Sequence, residues 1–494
     1  MIIALDGFKK KEVRLCNDSR YLNTLVLGQK GTGKSDHVLL NMYYQDLKDK
    51  DHSIFVFTSK GDTSYKLYTL AKHMGRKVHL IKPETNSFNI NLLKGEEQEV
   101  TEYMTELFSH VFKGMDMFFQ EMNKTLLVYG IKVVKRTLGE HATIEDLWDV
   151  MENINGLGRK RVLEFSRLKP EDVCMAKENG NIASWFLNEY FVEKKEYRVY
   201  EYCSAIRMKI RELVDFQNNY NFSPEEEDLP DFKKVLKNHE VVIVDTEFLT
   251  YKDYASLMGS YLLMKIQQEL LQADSADSFM YLDDFQKYYP VLTELLEGSH
   301  IKNVGIMLFL QEMSQLNIYP EYKHVIQNSV SNLILLERIS YEDYLFYKTY
   351  MNAELLNRKR GEIVYKLINR EGTSESTNGT LYANEKLLLQ YEKFLDYKKN
   401  LTKKKKKRTS TKKVEEVVEE KQVEAPIELE KEVEQEVGEK IEEKAEMFEI
   451  NLPESLLKVE PSSPKRTFSQ IKREGDGKEY LSPTELFNED EENE

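Results

Sequence analysis

Residues 28–35 read GQKGTGKS, a complete phosphate-binding loop, and this motif constrains the fold more than any other part of the chain. An apolar run at residues 24–27 precedes the loop, and apolar residues from Val38 onward indicate a helix behind it. Glycines at the first, fourth and sixth loop positions let the backbone turn so that its N–H groups point at a phosphate. The order strand, loop and helix therefore predicts a nucleoside triphosphate site.

Each residue of this loop has an expected role in binding ATP and Mg²⁺. Lys34 would reach the β- and γ-phosphate oxygens, and the hydroxyl of Ser35 would ligate Mg²⁺. The helix that follows would add partial positive charge at the phosphates. The predicted nucleotide-binding residues are Gly28, Gln29, Lys30, Gly31, Thr32, Gly33, Lys34 and Ser35.

The composition argues against a membrane-spanning chain, a secreted protein and a disulfide-rich scaffold. Of the 494 residues, 41% are hydrophobic and 31% are charged, which is typical of a globular protein with one unusually charged portion. The sequence contains no run of about 18 apolar residues, and its N-terminus becomes charged too early for a signal peptide. Its three cysteines have the spacing of neither a metal site nor a disulfide framework.

The net charge of −15 argues against a general affinity for nucleic acid, because Lys and Arg provide the affinity for phosphate backbones. However, residues 401–494 supply about half of that negative charge. The acidic balance therefore weakens a nucleic-acid interpretation, and local basic surfaces elsewhere stay compatible with one.

Strand and helix patterns alternate on both sides of a long helical stretch. Apolar runs predict further strands at residues 53–57, 77–81, 241–244, 279–282, 304–310 and 332–336, the last of which we expect to close the sheet. Between about residues 96 and 237 the apolar spacing is helical. This pattern predicts an α/β fold: a RecA-like P-loop NTPase core with a mainly parallel sheet, interrupted by an all-α domain.

The same pattern divides the chain into four segments. We expect an N-terminal part of the nucleotide-binding domain at 1–95, an inserted all-α domain at 96–237, and a C-terminal part of the nucleotide-binding domain at 238–395. Residues 396–494 are Lys-rich, then acidic, and nearly lack aromatic residues, which predicts a disordered tail. Such a tail could bind DNA or anionic lipid, recruit a basic partner protein, or only solubilise the chain.

Two predicted strands end in carboxylates that could hold Mg²⁺ and polarise an attacking water. The strand at 241–244 is followed by Asp245, and the strand at 279–282 is followed by Asp283 and Asp284. The simpler interpretation of either group is a strand-end carboxylate that caps the next helix.

We prefer the second group because the following strand, at 304–310, would deliver Gln311 to a place where it could contact the γ-phosphate or the water. Asp283 would then hold Mg²⁺ through a water, and Asp284 would act as the base or position the attacking water. Lys34, Asp284 and Gln311 are the predicted catalytic residues, with Asp245 as the alternative acid.

Taken together, these motifs resemble a known family. The relevant segments are GQKGTGKS, the turn TSKGD, the phrase GRKVHLIKPETNSFNINLL, the strand VVIVDTEF, and the late blocks YLDDFQKYYPVLTELLEG and GIMLFLQEMSQLN. They are similar to the type IV coupling proteins of bacterial conjugation, the TraG/TraD-like ATPases, over residues 20–370. Those proteins are in turn similar to the FtsK/HerA motors.

The resemblance implies a function and a set of partners. Family members are hexameric ATPases that move DNA, or a DNA-bound relaxase, into a type IV secretion channel. The implied partners are DNA, relaxase and relaxosome proteins, a type IV secretion ATPase, channel subunits, and further copies of the chain in a homo-hexamer. Two alternatives remain: a DNA-packaging or other FtsK/HerA-type motor, and a nucleotide-dependent scaffold with weak hydrolysis.

The chain departs from the family pattern at the acidic pair and at one turn. The pair is usually Asp-Glu, whereas this chain has Asp283 and Asp284, so the shorter base must lie closer to its water. The turn after the second strand usually begins with Asp. Here it begins with Thr58, and only residues 60–62 match.

Two further family features differ. A neighbouring subunit usually supplies an Arg from just before the sensor strand, and this chain has Lys302 there. The positive charge that acts on the nucleotide of a neighbouring subunit would come from Lys302, or from another residue such as Arg338, or would be weak. The simpler interpretation of Lys302 is a solvated surface lysine. The family's N-terminal membrane anchor is not seen, so we expect a cytoplasmic protein held at the inner face of the cell membrane by a separate anchor subunit.

In this family the helical domain faces the cytoplasm and meets DNA or the relaxase. Basic clusters at 158–161 and 207–211 could contact phosphates, and nearby aromatic residues could stack on bases. The alternative is that these aromatics are core residues and these charges are solvated. The aromatic residues concerned are Trp185, Phe186, Tyr190 and Phe191.

Overall fold

The computed structural model describes residues 1–6, 11–83, 90–110, 112–192, 199–219, 229–349, 351, 355–368 and 374–381. The predicted tail at 396–494 lies outside the described residues. The division of the preceding chain at residues 95 and 237 stays a prediction.

Eleven strands in the described part of the chain form one sheet. They are β1 (Ile2–Asp6), β2 (Glu12–Arg14), β3 (Thr24–Leu27), β4 (Ser53–Thr58), β5 (Val78–Ile81), β6 (Val241–Asp245), β7 (Ser278–Leu282), β8 (Val304–Leu310), β9 (Asn332–Leu335), β10 (Glu362–Ile368) and β11 (Ser374–Leu381). Their order across the sheet is β2-β1-β11-β10-β9-β3-β8-β7-β4-β6-β5.

The sheet has a parallel part and an antiparallel part. All neighbours from β9 to β5 pair in parallel, whereas β10, β11, β1 and β2 pair antiparallel with their neighbours. The predicted mainly parallel α/β core is therefore confirmed. The expectation that the strand at 332–336 closes the sheet is wrong, because β10 pairs with β9 and continues it.

The structure describes fifteen α-helices, some of which pack on the two faces of the sheet. They are α1 (Asn17–Arg20), α2 (Leu40–Lys48), α3 (Gly61–His73), α4 (Glu97–Ser109), α5 (Met117–Leu138), α6 (Ile144–Glu152), α7 (Leu157–Ser166), α8 (Val173–Trp185), α9 (Val199–Tyr202), α10 (Ser204–Asn219), α11 (Phe232–Lys237), α12 (Phe248–Gln272), α13 (Thr293–Gly298), α14 (Pro320–Ser329) and α15 (Tyr341–Tyr347). None of the described helices combines the length and the apolar character that a membrane span requires.

The parallel strands are buried on both faces, which explains why they read as continuous apolar runs. Along β3, Leu25 and Leu27 pack into the core shared with α4, α5 and α12, and Val26 packs into the core shared with α2 and α3. The same alternation places Phe57 in the first core and Val56 in the second. The period-two direction of side chains along a strand thus builds two cores from one sheet.

The parallel register brings the carboxyl ends of three strands to one edge of the sheet. Leu27 of β3 pairs with Leu310 of β8, and Leu308 of β8 pairs with Leu282 of β7. Neighbouring strands lie about 4.8 Å apart, so the ends of β3 and β7 are about 10 Å apart with β8 between them. The phosphate-binding loop and the acidic pair therefore lie at the same edge.

A buried asparagine ties the opposite, amino edge together. Asn23 Nδ2 donates to the carbonyl oxygens of Leu296 and Ser329, both at 3.1 Å, and to Ser299 Oγ at 2.9 Å. Its Oδ1 accepts from the backbone N–H of Ile306 at 3.2 Å. Its backbone is left-handed, with φ 57°. This side chain connects the start of β3 to β8 and to the ends of two helices.

Replacing Asn23 with alanine should lower the free energy of unfolding by about 2–4 kcal/mol, because it leaves several buried polar groups without partners in a strained backbone. Asn23→Gly removes the same hydrogen bonds but relieves the strain, so its loss should be smaller. Urea unfolding followed by circular dichroism measures both. Asn188→Ala, which removes one exposed hydrogen bond to Ser184, is the control and should change stability by less than about 0.5 kcal/mol. Equal stability of Asn23→Ala and the unchanged chain would contradict this assignment.

Candidate functional site

The loop after β3 turns tightly over the carboxyl edge of the sheet. Gly31 and Gly33 have φ of +85° and +90°, a backbone conformation that L side chains rarely adopt. A Cβ added to Gly28 would lie 2.7 Å from the Cβ of Leu336, so a side chain has no room there. The three glycines of the motif are therefore each required by the shape of the loop.

Hydrogen bonds within the chain hold the loop closed. The hydroxyl and the backbone N–H of Thr32 donate to the carbonyl oxygen of Gln29 at 2.8 and 3.3 Å. Gln29 N donates to the carbonyl oxygen of Arg338 at 3.0 Å, and Arg338 Nη2 donates to the carbonyl oxygen of Lys30 at 3.0 Å. Arg338 therefore supports the loop of its own chain.

The chain leaves the loop through a π-helical segment, Lys34–Leu39, before α2 begins. The backbone N–H groups of His37 and Val38 both donate to the carbonyl oxygen of Gly33, at 2.8 and 3.2 Å. π-Helical turns are rare and occur frequently at functional sites. The wide turn includes Lys34 and Ser35, the last two residues of the predicted phosphate-binding loop.

The Lys34 side chain is folded into the loop and is only 7% exposed. Its ammonium donates to the carbonyl oxygens of Gly28 and, at 3.2 Å, Gln29. Burial lowers the pKa of Lys34, and the charges of Asp284 and Asp283 partly oppose that shift. The predicted phosphate-binding lysine therefore lies within electrostatic reach of the acidic pair.

Ser35 and Asp283 meet directly, although 248 positions separate them. Ser35 Oγ donates to Asp283 Oδ2 at 2.9 Å. The other carboxylate oxygen, Oδ1, is buried and has no hydrogen-bond partner in the described part of the chain. Burial raises the pKa of Asp283, and this effect outweighs the opposing charge of Lys60. A hydroxyl beside a carboxylate with an unpaired oxygen is a donor set that fits Mg²⁺.

Asp284 is held by three donors. Its Oδ2 accepts from Ser59 Oγ at 3.1 Å and lies 3.2 Å from Lys60 Nζ and 3.1 Å from Lys287 Nζ. Burial by itself would raise the pKa of Asp284, but the two ammonium groups outweigh it and lower the pKa to about 2. The carboxylate is ionised at neutral pH and is a good hydrogen-bond acceptor but a weak base. This charge state favours positioning of a water over strong general-base catalysis.

Sequence reasoning assigned no role to any of these three donors. Ser59 lies at the carboxyl end of β4, and Lys287 lies in the short 3₁₀ turn after Asp284. β4 pairs with β7, so the turn after β4 reaches the acidic pair. The TSKGD turn was the available signal, because it follows a strand of the same parallel sheet.

Asp245, the alternative acid, is engaged elsewhere. Its Oδ2 accepts from Ser64 Oγ at 2.5 Å, and its Oδ1 accepts from the backbone N–H of Glu247 at 3.1 Å. β4 and β7 separate its strand, β6, from β8. The structure brings Asp283 to the loop and leaves Asp245 at the start of α3.

Gln311 directly follows β8, the strand between the loop and the acidic pair. Its backbone N–H donates to Gln315 Oε1 at 3.1 Å, and the preceding residue, Leu310, accepts from Gly28 N at 3.3 Å. The side chain is partly buried. Gln311 therefore lies one strand from each half of the candidate site, which is compatible with its predicted role.

Lys302 lies at the opposite edge of the sheet. It precedes β8, and its Nζ donates to the carbonyl oxygen of Ala273 at 2.8 Å. Because β3, β7 and β8 are parallel, the loop of the same chain is at the other end of β8. Lys302 could therefore act only on a nucleotide held by another copy of the chain.

A cleft of about 420 Å³ opens beside the loop, on the side of β10 and β11. This volume lies in the range of small-molecule sites. The acidic pair lies on the other side of the loop, where β8 and β7 follow β3 in the sheet. The residues lining the cleft are Gly31, Thr32, Gly33, Asp36, His37, Arg360, Gly361 and Leu381.

The candidate DNA-binding residues of the helical region are mostly engaged within the chain. Phe186 and Tyr190 are 0% and 2% exposed, so bases cannot stack on these two rings. Both are core residues, as the alternative interpretation predicts. The basic residues at 207–211 pair with nearby carboxylates, namely Arg207 with Glu152, Lys209 with Glu212, and Arg211 with Asp215. These contacts reduce the charge that the cluster offers to a phosphate backbone.

Comparison with solved structures identifies proteins of similar fold. The chain is similar to VirB4 of Thermoanaerobacter pseudethanolicus, with a TM-score of 0.52 and 13% identity over 78% of this chain and 97% of that one. It is also similar to the bacterial conjugative coupling protein TrwBdeltaN70, with a TM-score of 0.46 and 13% identity over 74% and 79% of the two chains. For TrwB in complex with ADP and Mg²⁺, the TM-score is 0.47 and the identity 12% over 76% and 81%.

No protein-family model matches the chain, and no curated protein sequence does. At 13% identity, the similarity to VirB4 concerns the fold. The chain has a RecA-like P-loop NTPase fold of the kind found in VirB4. The RecA-like fold that the motifs predict is therefore confirmed.

We expect Mg²⁺ to increase the affinity for ADP, and Asp283→Asn should remove most of that increase. The affinity for ADP in the presence of Mg²⁺ should fall about 10- to 100-fold, because the amide retains the shape of the carboxylate but loses its charge. Isothermal titration calorimetry with and without Mg²⁺ measures this difference. Asp245→Asn is the matched control, since Asp245 is also a buried strand-end aspartate bonded to a serine, and its Mg²⁺ effect should be unchanged. Loss of the effect in Asp245→Asn alone would reverse the assignment of the acid.

Proposed function

We propose that this chain is a Mg²⁺-dependent ATPase that couples ATP hydrolysis to the movement of DNA in a type IV secretion system. The observation that carries the proposal is the hydrogen bond from Ser35 to Asp283, which joins the phosphate-binding loop to the acidic pair. The fold shared with VirB4 supports the NTPase class. The sequence motifs that resemble the coupling proteins support the conjugative role.

Each part of the site has a task in this reaction. The loop N–H groups and Lys34 would bind the β- and γ-phosphates, and Ser35 and Asp283 would hold Mg²⁺, which neutralises charge on the transferring phosphate. Asp284 would position the attacking water, and Gln311 would contact the γ-phosphate or that water. The short side chain of Asp284 favours slow turnover.

The nucleoside would bind in the 420 Å³ cleft. Asp36 and His37 border the cleft on one side, and Arg360 borders it on the other. These groups offer hydrogen bonds and charge to a ribose or a base edge. The antiparallel strands β10 and β11 thus form one wall of the proposed nucleotide site.

The proposed partners follow from the family resemblance. They are DNA, relaxase and relaxosome proteins, the type IV secretion ATPase, channel subunits, and a separate membrane anchor subunit that holds the chain at the inner face of the cell membrane. In a homo-hexamer, Lys302 would face the nucleotide of a neighbouring copy, which is compatible with its position at the far edge of the sheet. The alternative is that the same core belongs to a motor that packages DNA.

One observation favours a second function, a nucleotide-dependent scaffold with weak hydrolysis. The lysines beside Asp284 lower its pKa to about 2, which makes it a weak base. ATP binding would then drive assembly of the machinery, with slow turnover resetting it.

Asp284→Asn should lower kcat for ATP about 100-fold, because the neutral amide positions the water poorly, while the Kd for ADP should stay within about twofold of that of the unchanged chain. A coupled assay for released phosphate, with calorimetry for ADP, measures both. Asp274→Asn, an exposed aspartate near the amino edge of the sheet, is the control. Full activity of Asp284→Asn would remove this residue from the reaction.

The same assay separates the motor from the scaffold. A motor should hydrolyse ATP several-fold faster with DNA, and this stimulation should weaken as salt rises, because phosphate contacts release counterions. ATP binding with negligible turnover, unaffected by DNA, would instead support the scaffold. A chain that binds no ATP at all would refute both functions.

A further inference from the structure

A lysine outside the loop caps the acidic pair from the open side of the site. Lys60 Nζ lies 3.2 Å from Asp284 Oδ2 and 3.7 Å from Asp283 Oδ2. The Lys60 side chain is 47% exposed, whereas the two carboxylates are 4% and 0% exposed. A partly exposed ammonium group therefore contacts carboxylates that are themselves shielded from solvent.

This ammonium shares its surroundings with the phosphate-binding loop. Asp283 Oδ2, which Lys60 approaches, is the same oxygen that accepts from Ser35 Oγ. Burial lowers the pKa of Lys34, and the charge of Lys60 lowers it further, so the two ammonium groups are electrostatic neighbours. Lys60 and Ser35 thus share one carboxylate oxygen, and Lys60 lies near the two loop residues that would bind the γ-phosphate and Mg²⁺ in the proposed site.

Lys287, the other lysine on Asp284, is held in a different way. Its Nζ donates to Ser59 Oγ at 2.7 Å and to Asp284 Oδ2 at 3.1 Å, and it lies 4.8 Å from the centre of the Phe248 ring. The side chain is 17% exposed. These contacts make Lys287 a fixed support for Asp284, whereas the Lys60 side chain is more exposed, at 47%.

We propose that Lys60 is a catalytic residue that binds the γ-phosphate of ATP within its own chain. This inference rests on the proposed ATPase function and adds to it a charge that acts in the same subunit. The γ-phosphate oxygens compete with the carboxylates for the ammonium, and the four-carbon stem lets Lys60 move from one to the other. The transfer removes a cation from Asp284, which becomes a stronger acceptor for the attacking water when ATP is bound.

ADP has no γ-phosphate, so with ADP Lys60 stays on the carboxylates. There its charge opposes a Mg²⁺ ion at Ser35 and Asp283. The proposal therefore predicts opposite effects of Lys60 on the two nucleotides. Lys60 strengthens the binding of the triphosphate and weakens the binding of Mg²⁺ together with the diphosphate.

The test is Lys60→Met, with the full chain and two probes, ADP and a non-hydrolysable ATP analogue with an imido bridge. The Mg²⁺ concentration that half-saturates ADP binding should fall by a factor of about three or more, and affinity for the Mg²⁺-bound analogue should weaken about tenfold. The kcat for ATP should fall about 10- to 100-fold. Lys60→Arg should recover most of the analogue affinity, since it restores the positive charge.

Two further variants serve as controls. Lys287→Met removes the other cation from Asp284 and should lower kcat while changing ADP and analogue affinities by similar factors. Lys72→Met, on the exposed face of α3, should match the unchanged chain throughout. Thermal unfolding of all variants shows whether the fold is retained.

The outcomes separate this inference from the proposed function. If Lys60→Met leaves analogue binding and kcat unchanged, or weakens ADP and the analogue equally, then Lys60 does not bind the γ-phosphate, and the ATPase proposal stands. If the unchanged chain binds neither nucleotide, the ATPase proposal fails and the role of Lys60 fails with it.

Discussion

The contact between Ser35 and Asp283 is the interaction on which the site depends. It exists because β3, β8 and β7 are parallel neighbours whose carboxyl ends share one edge of the sheet. A slip of β7 by one residue would turn Asp283 to the other face of the sheet and separate the two halves of the site. The buried hydrogen bonds of Asn23 at the amino edge fix the register of β3 against β8, the other strand pairing on which this contact depends.

The two adjacent aspartates have different properties because their surroundings differ. Asp283 is fully buried with an unpaired oxygen, and burial raises its pKa, so a divalent cation is the natural partner for its charge. Asp284 is also buried, but Lys60 and Lys287 keep it ionised. One carboxylate is thus suited to hold a metal and the other to position a water, a division of roles that environment creates between identical side chains.

The parts of the fold that sequence reasoning recovered are those with strong local signals. Buried parallel strands are continuous apolar runs, and the strand at 304–310 has the bounds predicted for it. The antiparallel extension was missed, although β10 contains Ile363, Val364 and Tyr365. Its partner β11, with the sequence SESTNGTL, is polar and has no apolar run to identify it. Its place in the sheet depends on pairing with strands that are distant in the sequence.

The sequence alone determined the loop, the acidic pair and the seven parallel strands, because glycine positions, apolar runs and strand-end carboxylates are local properties of the chain. Only the tertiary structure shows that Asp283 lies beside the loop and that Asp245 does not, since both follow apolar strands and differ only in the position of those strands within the sheet. It likewise decided that Lys60 contacts the acidic pair and that Arg360 borders the cleft. These contacts join positions far apart in the sequence, and the order of strands in the sheet brings them together.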